Sequence, residues 1–116
     1  MIKKIIIIDY GLGNILSIKN AVNHCGHDVI VTSERNVIES ASHIILPGVG
    51  AFPTAMKKLK DLNLMDTIHK AKECKTFILG ICLGMQLLFT NSEEFELTNG
   101  INLIKGNIVK LDKLGS

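Results

Sequence analysis

The chain has 116 residues, 47% of them apolar and 4% aromatic, with a net charge of +2 from 13 basic and 11 acidic side chains. That length supports one compact domain with a real core and is too short for two. The small charge excess, with no basic run longer than Lys57-Lys58, excludes a nucleic-acid footprint, and the longest apolar run, Ile5 to Ile8, falls far short of a membrane span.

Lys4-Ile5-Ile6-Ile7-Ile8 reads as a strand buried on both faces. Asn14 can cap a helix whose apolar stripe is Ile15, Ile18, Val22 and Cys25, and Gly26 would stop it. Asp28 to Thr32 predicts a second strand and His43 to Leu46 a third. Pro53 suits the first turn of a helix with Phe52, Met56 and Leu59 on one side, and a further helical segment carries Leu64, Met65, Ile68 and Ala71. Thr76 to Ile81 predicts a fourth strand, followed at once by a helix from Leu83 to Phe89. Asn91 to Gly100 is polar and acidic and reads as a loop. Ile101 to Ile104 and Asn107 to Leu111, with Lys105-Gly106 between them, predict a hairpin. Near-continuous β-branched runs alternating with helical periods predict an α/β domain: an open, mostly parallel sheet with helices on both faces and right-handed crossovers.

The odd count of three cysteines suits reduced thiols in a cytoplasmic protein, and the N-terminal apolar stretch lacks the length and cleavage site of a signal peptide. Cys25 and Cys74 have no special setting and read as core or surface filler. Cys82 differs. Gly80-Ile81-Cys82-Leu83-Gly84 has the G-x-nucleophile-x-G form of a nucleophile elbow, joining a strand to a helix. Such a turn strains the nucleophile's backbone, and small neighbours make the turn sterically feasible. It would lift the sulfur above the carboxyl edge of the sheet, at a helix N-terminus that favours thiolate. The Leu83 amide could then face a developing oxyanion. A free cysteine is more often a small buried hydrophobe; the two glycines at elbow spacing tip the balance toward chemistry.

Gln86 stands one helical turn beyond Cys82 and could hold the polar end of a substrate. Pro47-Gly48-Val49-Gly50 follows the third strand, and the second amide of an oxyanion hole could come from Gly48, Val49 or Gly50. Gly11-Leu12-Gly13 resembles the start of a dinucleotide fingerprint, but Leu16 occupies the place of its third glycine.

Gly80-Ile81-Cys82-Leu83-Gly84-Met85-Gln86-Leu87-Leu88-Phe89 resembles the nucleophile motif of class I, or triad, glutamine amidotransferases. Within that class, Asp9-Tyr10-Gly11 with Gly13-Asn14, Pro47 to Phe52, and Gly106 to Leu111 resemble the glutaminase subunits of imidazole glycerol phosphate synthase, in histidine biosynthesis. The similarity runs over essentially the whole chain and about the first half of the family's length. The resemblance implies a flavodoxin-like fold and the N-terminal portion of a single amidotransferase domain, residues 1–116. It implies a γ-glutamyl thioester on Cys82, an oxyanion strand at Gly48, Val49 and Gly50 with Leu83, and glutamine held by Gln86 and Gly50. Ammonia would pass to a (β/α)8-barrel cyclase subunit in a heterodimer, with Asn14 near that partner. No cofactor and no metal are expected.

The family's general base is a histidine, followed two residues later by a glutamate, well beyond the cysteine in sequence. Here His24, His27, His43 and His69 all precede Cys82, and none has that glutamate. A cysteine nucleophile needs a base or a lowered pKa, so the expectation is a fragment or a truncated relative that is inactive alone. Two other readings stand beside it: a flavodoxin-like nucleotide- or phosphate-binding module resting on Gly11-Leu12-Gly13, and a non-catalytic interaction protein. Within the first reading, the ammonia could instead serve a synthase that makes amidino groups on surface sugars.

Overall fold

A computed structural model describes residues 3–111. Four strands, β1 (Ile5–Ile8), β2 (Val29–Thr32), β3 (His43–Leu46) and β4 (Phe77–Gly80), form a sheet in the order β2-β1-β3-β4. Every pairing in it is parallel, in the register Ile5 opposite Val29, Ile6 opposite Ile44, and Leu46 opposite Gly80. The chain steps from β1 out to β2, then back past β1 to β3 and β4. The winding therefore reverses between β1 and β3, which makes the carboxyl ends of those strands the switch point of the sheet.

Right-handed crossovers with that order place α1 (Ile15–His24) on one face and α2 (Arg35–Glu39), α3 (Phe52–Asp61) and α4 (Met65–Glu73) on the other. Side-chain burial follows the same division. Ile6, Ile8, Ile44 and Leu46 share one core with Phe52, Met56, Leu59 and Ile68. The predicted stripe of α3 is buried, with Ala55 added; of the α4 stripe Leu64, Ile68 and Ala71 are buried, Met65 only partly, and Thr67 joins them. Arg35 Nε donates to the buried Thr67 hydroxyl at 3.2 Å, which ties α2 to α4. The short α2 had no sequence signature, since five residues hold little more than one helical period.

The second face is less covered. Ile5, Ile45, Phe77 and Leu79 of the sheet, with Ile18 and Val22 of α1, bound an open apolar recess of about 740 Å³. The predicted stripe of α1 is only partly used, as no residue of this helix is buried. Asn14 does occupy the N-cap position, but its side chain makes no capping bond. The expectation of strands buried on both faces holds for β1 and fails for β4, where Phe77 is 64% and Leu79 56% exposed. β4 is an edge of this sheet, and α1 packs against β2, at the other edge.

The tail corrects two further expectations. The helix after the fourth strand, α5 (Leu83–Leu87), is shorter than predicted, and its last predicted residue opens a strand, β5 (Phe89–Ser92). The expected hairpin is absent. Instead β7 (Ile104–Ile108) continues through Lys105-Gly106 with a register shift there and pairs parallel with β5, while β6 (Thr98–Asn99) pairs antiparallel on the other side. The reason lies in where the backbone bonds go. Ile101 N–H donates to Leu87 O, and Leu103 N–H to Leu88 O, both at 2.8 Å, so this segment is bound to the end of α5. Ile101 is buried in the main core. Gly106 takes φ +150°, which glycine adopts readily, at the register shift within β7, with its N–H on the Thr90 hydroxyl.

The exposed sheet face generates the first prediction. Replacing Leu79 with Lys should shift the sedimentation of the purified chain toward monomer, because an open apolar patch drives association. The unfolding midpoint should stay within about 4 °C, since a half-exposed site contributes little packing.

Candidate active site

Three strand ends build the site. β1 ends at Asp9-Tyr10, β3 at Pro47-Gly48, and β4 at Ile81-Cys82, side by side along the carboxyl edge. Ile81 N–H donates to Leu46 O at 3.0 Å, so β4 stays paired to β3 until one residue before the sulfur.

Cys82 then turns sharply, with φ 56° and ψ −126°. A non-glycine residue held there costs about 1–3 kcal/mol and persists only where its surroundings over-determine it. Here they do. Gly84 N–H donates to Ile81 O at 2.9 Å and Met85 N–H to Cys82 O at 3.0 Å, closing the turn into α5. A Cβ on Gly84 would overlap the Leu46 carbonyl oxygen. One on Gly80 would lie 2.6 Å from Met85 Cα. The elbow is thus pressed onto the end of β3, and both motif glycines are sterically required. The Cys82 residue itself is solvent-exposed.

The candidate anion-binding residues lie against it. Pro47 and Gly48 are buried, whereas Val49 and Gly50 are exposed, and Gly50 has φ +91°. A Cβ on Gly48 would lie 2.8 Å from Gly84 N and 3.1 Å from Leu83 Cβ, so this turn touches the elbow directly. The Leu83 amide is not a free donor: it donates to Gly48 O at 3.3 Å. An anion could take that amide only by displacing the Gly48 carbonyl. Gln86 is half-buried on α5, one turn along from Cys82.

Gly11-Leu12-Gly13 serves packing rather than phosphate approach. A Cβ on Gly13, at φ +127°, would lie 2.8 Å from Pro47 Cβ, so the space in front of this glycine is already filled by the proline. Asp9 Oδ1 accepts from Gly11 N–H at 3.2 Å and shapes the turn locally. Tyr10 had no assigned role in the sequence, yet its hydroxyl donates to Pro47 O at 2.6 Å inside the core. Its position at a strand end, before a Gly-x-Gly turn, was the only available signal.

The histidines do not approach the sulfur along the sheet. His43 opens β3 opposite Phe77, at the amino end, with its Nδ1 2.8 Å from Ser42 Oγ and its ring stacked on Phe77 at 5.0 Å. His24 ends α1 and His27 precedes β2, also at the amino edge. His69 lies in mid-α4 beside the core residue Ile68. Cys25 and Cys74 follow the ends of α1 and α4, and both are exposed.

A family model, glutamine amidotransferase class-I, matches residues 6–113. Imidazole glycerol phosphate synthase subunit HisH 2 of Vibrio vulnificus is 52% identical over 107 residues, covering 90% of this chain and 50% of that protein. Subunit HisH of Staphylococcus aureus is 46% identical over 92% of this chain and 54% of its own length. That of Lactococcus lactis is 44% identical over 94% of this chain and 54% of its own. The chain therefore spans about half the length of the curated relatives it matches. A crystal structure of a glutamine amidotransferase superposes with a TM-score of 0.76 at 17% identity, covering 90% of this chain and 56% of the other. That likeness supports the fold.

The overlap at Gly84 predicts that Gly84→Ala destabilises the domain by about 1–3 kcal/mol or more, since backbone on both sides cannot yield as a side chain could. Urea unfolding of the variant and the parent chain measures it.

Proposed function

Because the chain belongs to the class I glutamine amidotransferase family, we propose that it is the N-terminal portion of a glutaminase subunit of imidazole glycerol phosphate synthase. The observation that carries this reading is the backbone of Cys82: a positive-φ residue at a strand–helix elbow, exposed, and braced by Gly80 and Gly84. Residues 1–116 are read as part of one amidotransferase domain.

In the proposed reaction, the Cys82 sulfur attacks the side-chain carbonyl carbon of glutamine. A C–S bond forms, the carbonyl oxygen becomes an oxyanion, and the C–N bond then breaks. Nitrogen leaves as ammonia with an added proton, and water later hydrolyses the γ-glutamyl thioester. The oxyanion is assigned to amides of Gly48, Val49 or Gly50 together with Leu83, once the Gly48 carbonyl has given up the Leu83 amide. Gln86 and Gly50 are assigned to glutamine, and Asn14, exposed at the start of α1, to the surface facing a (β/α)8-barrel cyclase that receives the ammonia. We place the protein in the cytoplasm; among the described residues no helix is long and apolar enough to cross a membrane.

Proton transfer is the part this chain does not supply. Three of its histidines sit at the far edge of the sheet, and no histidine follows Cys82. The free edge of β4 offers a place for the missing group. A strand added there in parallel would end beside Cys82, as β3 does on the other side. A positioned acid–base group contributes about 10²–10⁴-fold. The chain alone is therefore expected to show no steady release of ammonia from glutamine.

Labelling tests the assignment independently of turnover. A chloroketone analogue of glutamine should modify Cys82 at least about tenfold faster than Cys25 or Cys74, read by peptide mass mapping. All three cysteines are exposed, so accessibility does not favour one of them. Equal labelling would sink the nucleophile assignment, as would steady glutaminase activity that survives Cys82→Ala.

A further inference from the structure

Tyr10 is a buried ionisable group with no part in the chemistry above. It is 3% exposed and belongs to the main core. Burial pushes its phenol well above the ordinary range, so it remains a neutral O–H donor under all working conditions. That hydroxyl donates to Pro47 O at 2.6 Å, joining residues 37 positions apart in sequence.

The acceptor is informative. Proline has no N–H, so its carbonyl is the one backbone group by which hydrogen bonding can hold Pro47. The Pro47–Gly48 peptide is planar and not cis, so fixing the carbonyl also fixes the Gly48 N–H on the opposite side. The same hydroxyl lies 2.8 Å from where a Gly48 Cβ would stand, and Gly13 closes on Pro47 from another direction. One O–H therefore sits where the ends of β1 and β3 meet the elbow. A phenylalanine ring would fill the same core space, so the hydroxyl is not explained by packing.

We propose that Tyr10 is a positioning residue: its hydroxyl clamps the Pro47–Gly48 peptide, so that residues 48–50 present their amides to the Cys82 site from a fixed origin. This inference rests on the reading of Gly48 to Gly50 as the anion-binding turn. It also explains how that turn can give up the Leu83 amide without the end of β3 moving. Pro47 is held from the β1 side, and only the stretch beyond it has to shift.

The test compares two alkylating probes at Cys82 in Tyr10→Phe and the parent chain. The chloroketone analogue of glutamine reacts through a carbonyl adduct whose oxygen needs donors, whereas with iodoacetamide the sulfur displaces iodide directly at carbon and no oxyanion forms. The ratio of the two rates should fall about threefold to tenfold in Tyr10→Phe, the range of one net hydrogen bond, with the iodoacetamide rate unchanged within about twofold. A merely structural role would move both rates together, and that result, or an unchanged ratio, overturns the proposal. Tyr10 is the sole tyrosine, so growth on 3-fluorotyrosine alters this position alone. That residue keeps the hydroxyl and donates more strongly, so its ratio must equal or exceed the parent's; a fall overturns the clamp even if Tyr10→Phe does not fold. The two readings fail separately. A parent chain with no preference for Cys82 over Cys25 removes the proposed function, and a preference that Tyr10→Phe leaves intact removes only the role of Tyr10.

Discussion

The contact between Gly84 and the Leu46 carbonyl holds the rest of the site in place. α5 can start where it does only because nothing but hydrogen stands on Gly84 Cα. That proximity forces the chain between β4 and α5 into a single tight turn, and the turn places Cys82 at positive φ. The strain is balanced by paired backbone on every side: Ile81 to Leu46, Leu83 to Gly48, Gly84 to Ile81 and Met85 to Cys82. A sulfur displayed above a sheet edge is the consequence of this packing, not of any property of cysteine. The proposed nucleophile and the turn assigned to its oxyanion are pressed together by the same few atoms.

The two faces of the first sheet have different standing. One is sealed by α2, α3 and α4 around Phe52, Met56 and Leu59, with most of these side chains fully buried. Among the described residues, the other is held by α1 alone and leaves Phe77 and Leu79 open beside a β4 edge that pairs with no further strand. The strand that carries the elbow is therefore well supported from β3 and from the helices below, and unsupported on its outer side. The proposed chemistry at Cys82 needs a proton-transfer group close to the sulfur, and the uncovered side is where the sheet leaves room for one. The support of the elbow on one side and its exposure on the other have one cause, the position of β4 at the sheet edge.

The small β6-β5-β7 sheet depends on the main core through Ile101, which is buried under the end of α5. Backbone groups of residues 100–104 are taken up by Leu87, Leu88, Phe89 and Thr90. Those long-range bonds outcompete the local turn that Lys105-Gly106 suggests. A hairpin would have satisfied the same donors locally but would have left Ile101 outside the core, at a cost of about 1.5–3 kcal/mol.

Much of this protein was legible in its residues alone. The four β-branched runs specify the parallel strands, because a near-continuous apolar run is stable only where helices can cover it. The 3.6-residue stripes of α3 and α4 name most of their buried side chains, and Gly-x-Cys-x-Gly after a strand names the elbow, because only that spacing lets the turn close. Tertiary structure decided what no local pattern encodes. It left the outer face of β4 open, engaged the Leu83 amide with the Gly48 carbonyl, filled the Gly11-Leu12-Gly13 turn with Pro47, and set the Tyr10 hydroxyl on Pro47. The last three are contacts between segments tens of residues apart, and all four are fixed by which strand lies beside which. Sequence periodicity reports how a segment presents its own faces, and the sheet order determines what those faces meet.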